Sequence, residues 1–314
     1  MTRDTGTGKY ERLLEKCRSL PAVPTAVAYP CEESALAGAV EAGEKGLTEP
    51  ILVGPAATIE EIARRAKIDL GRAQVVDAPD AAAAARKAVA LVREGKAELL
   101  MKGSLHTDEL LGAVVARETG LRTGRRISHV FIMDVPTYHK VLIVTDAAIN
   151  IAPTLDDKVD ICQNAIDLAV VLGVERPKVA ILAAVETVNS KMPATLEAAA
   201  LCKMADRKQI RGGLLDGPLA FDNAISTDAA RTKGIASEVA GDPDILLAPD
   251  LEAGNILAKL LSFLANADSA GLVLGARVPI ILTSRADSVR SRIASCAVAM
   301  LAAHARRRTP ERRN

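Results

Sequence analysis

The sequence contains very few aromatic residues. Its 314 positions include three Phe, three Tyr and no Trp, although 49% of the residues are hydrophobic. Alanine and aliphatic side chains must therefore fill a sizeable core, which is typical of α/β proteins with Val, Ile and Leu strands and Ala-rich helices. The same shortage argues against folds that bind nucleic acid by stacking bases on exposed aromatic rings.

The chain also lacks an excess of charge and a long apolar run. Its formal net charge is +1, so no broad attraction to nucleic acid or to a membrane surface is implied. No apolar run approaches the ~20 residues that cross a bilayer. The first six residues contain no apolar signal core. We therefore expect neither a membrane nor a nucleic-acid partner.

Cysteine and histidine spacings give no sign of a metal site. The five cysteines are scattered without a CxxC pair, and the four histidines form neither an HxxxH nor an HExxH pattern. An odd number of dispersed cysteines is typical of reduced thiols, which predicts a cytoplasmic protein. No GxGxxG segment follows a predicted strand, which weakens a dinucleotide-binding interpretation.

Alternating strand and helix patterns indicate repeated βα units. A strand is predicted at Glu98–Gly103 with a helix after it, and Asp80 is the predicted N-cap of the Ala-rich helix before it. Later, Ile245–Leu247 is a predicted strand and Glu252–Leu264 a predicted helix. Repeats of this kind predict parallel sheets that are covered by helices.

A proline-containing interruption near Asn150–Thr154 suggests a domain boundary. The final strand and helix are expected to return to the first domain and complete its sheet. The sequence thus predicts an α/β fold of two domains with mainly parallel sheets flanked by helices: residues 1–149 plus 272–314, and residues 150–271. A cleft between the domains is the expected ligand site.

A Ser–Arg pair after a predicted buried strand is the most informative feature for function. Ser284 and Arg285 follow the apolar run 278–282, and a helix is predicted from Asp287 onward. A helix N-terminus supplies free N–H groups, and arginine supplies a rigid fork of donors. Such a turn is well suited to an anion that also carries a reacting carbonyl group.

Lys102, Gly103 and Ser104 follow another predicted strand. A lysine, a conformationally permissive glycine and a serine at this position can bind a phosphate through backbone N–H groups and the ammonium group. An ordinary βα turn explains the same residues equally well.

Further polar residues follow other predicted strands. Asp146 and Asn150 either orient a ligand or satisfy the backbone of a hinge, and the hinge is slightly favoured. Asp216 is a candidate general base at a strand end. Asn255 and Lys259 lie one helical turn apart and share a face. Lys259 adds positive charge if that face lines the cleft, and is otherwise a solvated surface lysine.

In this order, the clusters resemble the phosphate acetyl/butyryltransferase family. The resemblance extends from about Glu33 to Ala302, and residues 283–288 are similar to the butyryltransferase branch and to the acyltransferase half of fusions with an enoyl-CoA hydratase. It is carried by residues 145–154, 216–222, 249–255 and 284–285. It implies two domains of the isocitrate/isopropylmalate dehydrogenase-like architecture, assembled as a homodimer.

The resemblance also implies a chemistry. Acyl-CoA and phosphate would exchange reversibly with acyl phosphate and CoA in a ternary complex, with CoA as co-substrate and no permanently bound cofactor. Ser284 would hydrogen-bond the sulfur, and Arg285 would bind phosphate and stabilise the tetrahedral oxyanion. Lys259 matches a position that is basic in the family and would make a second phosphate contact.

Two departures from the acetyltransferase branch matter. An aspartate that this branch carries seven residues after the serine is replaced by Ser291, and the nearest acid is Asp287. The general base is therefore Asp287, another group such as Asp216, or no group at all, because a thiol with a pKa near ~8.5 needs only modest lowering. A basic residue of that branch is replaced by Ala113, which favours longer acyl groups.

Two other functions remain open. The first is a non-catalytic acyl-CoA-binding regulatory module, against which the intact Ser284, Arg285, Asn255 and Lys259 argue. The second is a decarboxylating dehydrogenase of similar architecture, which would need clustered metal-binding aspartates that the sequence does not show at a strand end.

Overall fold

The computed structural model describes residues 8–283 and 287–308. Over these residues the chain is mixed α/β, with eleven strands and eleven helices. The strands are β1 (Val23–Ala28), β2 (Thr48–Gly54), β3 (Gln74–Asp77), β4 (Leu99–Lys102), β5 (Ser128–Asp134), β6 (Leu142–Thr145), β7 (Lys178–Leu182), β8 (Leu214–Leu219), β9 (Ile245–Leu247), β10 (Asp268–Leu274) and β11 (Ile280–Ile281). The helices are α1 (Lys9–Cys17), α2 (Glu33–Glu44), α3 (Ala56–Ala66), α4 (Ala81–Arg93), α5 (Thr107–Val115), α6 (Leu155–Val171), α7 (Pro193–Asp206), α8 (Phe221–Ile225), α9 (Thr227–Thr232), α10 (Leu251–Phe263) and α11 (Val289–Arg308).

The chain forms two compact units, and the first of them is discontinuous. Unit 1 contains residues 8–125 and the described residues from Ala270 onward, and unit 2 contains Arg126–Ser269. The first boundary therefore lies earlier in the chain than the expected division between residues 149 and 150. The physical reason is strand pairing, because β5 pairs with β6, and β6 pairs with β9 of unit 2.

The sheet of unit 1 brings three strand ends to one edge. Its strand order is β3-β2-β1-β4-β11-β10. All neighbours are parallel except β10 and β11. Ala28 pairs with Lys102, and Ile281 pairs with Met101. The segments that follow β1, β4 and β11 therefore emerge side by side, at the edge where ligands usually bind in such sheets.

Alanine-rich packing forms the core of unit 1, as the composition predicts. All four residues of β4 are buried, and α4 packs against β1 and β2 through small side chains such as Ala84 and Ala88. The Asp80 side chain accepts a hydrogen bond from the N–H of Ala83 at 2.7 Å, so the predicted N-cap is confirmed. Such a cap contributes about 1 kcal/mol to stability.

The sheet of unit 2 has the order β5-β6-β9-β7-β8. Only the β5–β6 pair is antiparallel. Thr145 of β6 pairs with Leu247 of β9, so the segments after these two strands begin at the same edge. The Asp250 side chain caps α10 by accepting a hydrogen bond from the N–H of Ala253 at 2.8 Å. That cap starts α10 directly beside the segment that follows β6.

Within the described residues, no helix combines the length and the apolar character that crossing a membrane requires.

Candidate functional site

A pocket opens at the carboxyl edge of the unit 1 sheet, beside the ends of β4 and β11. Its lining comprises residues from four segments of the chain, namely Glu32, Ser34, Ala35, Met101, Lys102, Gly103, Ser104, Thr283 and Arg292. The pocket thus brings the predicted Lys102–Ser104 segment next to Thr283. Thr283 directly precedes the Ser284–Arg285 pair in the chain.

Ser284 and Arg285 lie outside the described residues, and Asp287 is the first described residue after them. Asp287 is half-buried and lies just before α11. The Ser288 hydroxyl accepts a hydrogen bond from the N–H of Ser291 at 3.1 Å and so caps the first turn of this helix. Ser291 itself is buried. The position at which the acetyltransferase branch carries an aspartate is therefore part of a helix cap here.

Lys102 places a buried positive charge in the pocket. Its residue surface is 7% exposed. The ammonium group donates hydrogen bonds to the carbonyl oxygens of Gly103 at 3.2 Å and Leu105 at 3.0 Å. The side chain therefore folds over the loop that follows β4.

The backbone of Gly103 and Ser104 is bound to strand β1 and to the residue after it. Their N–H groups donate to the carbonyl oxygens of Ala28 at 2.9 Å and Tyr29 at 2.8 Å. The Ser104 hydroxyl also donates to the Tyr29 carbonyl at 2.8 Å and accepts from the N–H of Cys31 at 2.9 Å. The expected cradle of backbone N–H groups is thus committed to the protein at these two residues. A phosphate in this pocket would be bound by side chains.

In unit 2, Asp146 and Asn150 form a buried network within the loop after β6. One carboxylate oxygen of Asp146 accepts from the N–H of Ala148 at 2.9 Å, and the other accepts from the Asn150 side-chain amide. That amide also donates to the Ile127 carbonyl at 2.9 Å, while its oxygen accepts from Arg126 Nε at 2.7 Å. These contacts satisfy polar groups of the loop itself, and a hinge or ligand-orienting role for Asp146 and Asn150 stays a prediction.

The N-terminal turn of α10 packs directly on this loop. The Asn255 amide donates to the Ala147 carbonyl at 2.9 Å. A Cβ atom on Gly254 would lie 2.2 Å from the Asp146 carbonyl oxygen, so only glycine permits the approach. Lys259 is exposed one turn further along the helix. Asn255 and Lys259 thus share a face as predicted, and Asn255 is fixed by the loop.

His129 is a buried titratable residue beside this cluster that the sequence did not single out. Burial lowers its pKa to about 4, the Asp146 carboxylate opposes this shift, and the Lys259 charge adds to it. Its Nδ1 atom has no hydrogen-bond partner among the described residues, and its ring packs edge-on against Phe131 at 4.4 Å. His129 is therefore neutral at neutral pH. Its apolar strand context gave no signal for this environment.

Asp216 lies apart from the other unit 2 candidates. It is half-buried in the edge strand β8, which is separated from β6 by β9 and β7. Its carboxylate accepts a hydrogen bond from the N–H of Gly217 at 2.8 Å. The sheet therefore does not bring Asp216 together with Asp146 or Asn255, and its use as a general base stays a prediction.

Arg292 is a charged pocket residue that the sequence did not single out. It is 6% exposed and lines the same pocket as Lys102. One signal was available, because Arg292 precedes the apolar stretch Ile293–Met300 in the predicted last helix. A charged residue is rarely buried at the start of an apolar helical segment unless its charge is paired.

Comparison with known proteins identifies relatives along nearly the whole chain. The model of the family described as "Phosphate acetyl/butaryl transferase" matches residues 81–300. A phosphate acetyltransferase of Rhizobium meliloti is 64% identical over 299 residues, which cover 95% of each chain. A phosphate butyryltransferase of Clostridium beijerinckii is 42% identical over 294 residues, covering 94% of this chain and 97% of that protein.

A solved structure has the same fold. The branched-chain phosphotransacylase of Enterococcus faecalis aligns with a TM-score of 0.77 at 31% sequence identity, covering 90% of this chain and 99% of that one. The family model and these relatives together show that the chain belongs to the phosphate acetyl/butyryltransferase family.

Proposed function

We propose that this protein catalyses the reversible transfer of a short-chain acyl group between CoA and inorganic phosphate. The observation that carries the proposal is the pocket at the carboxyl edge of the unit 1 sheet. There two buried cations, Lys102 and Arg292, lie beside Thr283, the residue before Ser284 and Arg285. Membership of the family and the names of the relatives support the same activity.

In the proposed reaction, a phosphate oxygen attacks the thioester carbonyl carbon and forms a tetrahedral oxyanion. Collapse of this intermediate breaks the carbon–sulfur bond, so that acyl phosphate and the CoA thiolate are produced. Arg285 stabilises the oxyanion and binds phosphate, because donors aimed at developing charge contribute most to acyl transfer. Ser284 hydrogen-bonds the sulfur. In the reverse direction, the thiolate attacks the carbonyl carbon of the acyl phosphate.

Asp287 is the proposed group that takes the thiol proton in the reverse direction. It is the acid nearest to Ser284 in the chain, and it lies at the entrance to α11. Cationic neighbours also favour the thiolate form of CoA. Activity of Asp287→Asn that stays at the wild-type level across the pH range would remove this role from Asp287.

A thiol-release assay tests the proposed function. The purified protein is incubated with acetyl-CoA or butyryl-CoA, with and without inorganic phosphate. Release of CoA that requires phosphate supports acyl transfer. Tight binding of acyl-CoA without turnover would instead indicate a regulatory module, and dependence on NAD and a divalent metal would indicate a dehydrogenase.

Arg285→Ala should lower turnover by more than about 100-fold, because the variant lacks a donor to the oxyanion. Arg277→Ala is the matched control, since Arg277 is an exposed arginine of the same unit and should leave the rate unchanged. Ser284→Ala should slow the reaction while CoA affinity stays nearly constant. A wild-type rate in Arg285→Ala, or an effect of Ser284→Ala on CoA affinity alone, would reject these roles.

We propose acetyl as the preferred acyl group, because the acetyltransferase relative is more similar to this chain than the butyryltransferase relative. The motif at residues 283–288 and Ala113 favoured longer groups. One methylene changes binding by about 1 kcal/mol, so a series of two- to six-carbon acyl-CoA substrates resolves the preference. A maximum of kcat/KM at four carbons would contradict the acetyl assignment.

We further propose a cytoplasmic homodimer that pairs through α10. Ile256, Leu260, Phe263 and Leu264 form one apolar face of this helix, and their exposed fractions are 66%, 46%, 71% and 79%. Exposed apolar patches of this kind mark interaction sites in soluble proteins. The five cysteines are free of disulfide bonds, which fits a reducing compartment. Sedimentation as a monomer at micromolar concentration would reject the dimer.

A further inference from the structure

A second cavity lies on unit 1, between helix α4 and the edge strand β3. We call it the α4 groove, and its walls include Ile51, Gln74, Val76, Lys87, Leu91 and Glu94. Its volume of about 600 Å³ lies within the range of roughly 300–1,000 Å³ that small-molecule sites occupy. In the sheet order, β2 and β1 separate β3 from β4. The α4 groove is therefore distinct from the pocket beside the ends of β4 and β11.

The α4 groove is open because α4 lies over the middle of the sheet. This helix packs mainly against β1, β2 and β4, and every residue of β4 is buried. In the edge strand β3, by contrast, Gln74 and Asp77 are exposed and Val76 is only half-buried. Because side chains alternate along a strand, Gln74 and Val76 face the groove together. Val76 is thus an apolar side chain that the fold leaves partly open to solvent.

The apolar part of the groove lining is aliphatic. Ile51 is buried in β2, whereas Val76, Ala90 and Leu91 are half-buried, and all four line the groove. An alkyl chain placed here would remove apolar surface from water on both sides of the contact, which is favourable. The lining therefore suits a ligand with an aliphatic body.

One cation of the α4 groove is held in place without being neutralised. The Lys87 ammonium donates a hydrogen bond to the Asp77 carbonyl oxygen at 2.7 Å. Among residues 8–283 and 287–308, no carboxylate forms an ion pair with it. The Glu94 carboxylate also lines the groove, but it is paired with the Lys96 ammonium at 2.7 Å. An ammonium group has three donors, so Lys87 has donors left for a ligand.

The charge and the length of the groove define its ligand. Lys87 and Lys96 against Glu94 leave one positive charge on the lining, which a monoanion complements and a dianion would exceed. Lys87 and Glu94 are seven residues apart on α4, a distance of about 10 Å in a helix. An extended chain of about eight carbons has a similar length. A straight-chain carboxylate of this size meets both requirements.

We infer that the α4 groove binds a medium-chain aliphatic carboxylate. The carboxylate group accepts a hydrogen bond from Lys87, and the alkyl chain lies along Val76 and Leu91. The inference does not rest on the proposed function, because it concerns binding at a separate part of unit 1. If wild type binds the carboxylate as described below but shows no phosphate-dependent thiol release, the proposed function fails and this inference stands.

Calorimetric titration of the whole chain with sodium octanoate tests the charged contact. Lys87→Gln should bind octanoate at least about fivefold more weakly than wild type, because a charge-assisted hydrogen bond at an exposed site is lost. Arg86→Gln is the matched control. It removes the same charge from the neighbouring position of α4, where Arg86 is exposed and lies outside the groove lining. Its octanoate Kd should stay within about twofold of wild type. Equal Kd values in wild type and Lys87→Gln, or equal weakening in the two variants, would overturn the inference.

The alkyl contact is tested with related ligands and a filled groove. Hexanoate should bind more weakly than octanoate, by up to about fourfold for each missing methylene. Octylamine should bind at least about tenfold more weakly than octanoate, because its ammonium group would face Lys87. Ala90→Leu places a larger side chain in the lining and should weaken octanoate binding without changing the urea midpoint. Octylamine binding as tight as that of octanoate, an affinity independent of chain length, or no saturable octanoate binding to wild type would each contradict the assignment.

Discussion

Replacing Gly103 by alanine should disrupt the pocket because no space exists for a side chain. A Cβ atom there would lie 2.4 Å from the carbonyl oxygens of both Ala28 and Tyr29, well inside the 3.0 Å that real Cβ atoms keep. The backbone must therefore move away from β1, which weakens the hydrogen bonds that the N–H groups of Gly103 and Ser104 donate. Overpacking costs about 1–3 kcal/mol, and each hydrogen bond contributes about 1 kcal/mol. We expect Gly103→Ala to lose about 3 kcal/mol.

The assay is urea unfolding of Gly103→Ala and of a control in the same βα unit. Gly112 lies in α5, and a Cβ atom added there would meet no atom within 4 Å. Gly112→Ala should gain about 0.5–1 kcal/mol, because alanine is the better helix former. The KM for phosphate should rise only in Gly103→Ala, since that backbone carries Lys102 and Ser104. Equal stability of the two variants would refute the packing argument.

Three other predictions address other parts of the chain. Burial holds the pKa of His129 at about 4, below its unfolded value of 6.5, so the unfolded state binds the extra proton between these values and stability falls as pH drops through this window. Between pH 7 and pH 5, the free energy of unfolding measured with urea should therefore fall by about 2 kcal/mol less in His129→Gln than in wild type. An equal fall in both proteins would contradict the lowered pKa of His129. Asp80→Ala should lower the free energy of unfolding by about 1 kcal/mol through loss of the α4 cap, and an unchanged urea midpoint would speak against the cap. Leu260→Glu on the exposed face of α10 should raise the dimer Kd measured by sedimentation, whereas Lys45→Glu, at the end of helix α2 in unit 1, should not; equal effects would argue against α10 as the interface.

Elements with strong apolar runs and clear caps were predictable from the sequence. Strand β9 was predicted with the bounds it has in the structure. The N-cap of α4 was predicted at Asp80, where it lies. The helix after Asp250 was predicted within one residue of its observed bounds at each end. These segments owe their structure to local signals, namely side-chain oxygens at N-caps and short Ile/Leu runs. The mixed α/β class followed from their alternation.

Other features depend on contacts that local patterns do not encode. Strand β1 (Val23–Ala28) was not predicted, because Pro24 and two alanines weaken its strand signal, and its position is set by pairing with β2 and β4. The same pairing explains why the N–H groups of Gly103 and Ser104 donate to the carbonyl oxygens of Ala28 and Tyr29 and not to a ligand. Arg292 lies far from Lys102 in the chain, and only the sheet order brings their segments together.

The most direct test of the account is the stoichiometry of the two products. Wild-type protein is mixed with acetyl-CoA and inorganic phosphate, and free thiol and acetyl phosphate are quantified in the same sample. We predict equal amounts of both products, no thiol release when phosphate is omitted, and the reverse reaction from acetyl phosphate and CoA. Thiol release that is independent of phosphate, or the absence of acetyl phosphate, would contradict the assignment of this protein as a phosphate acyltransferase.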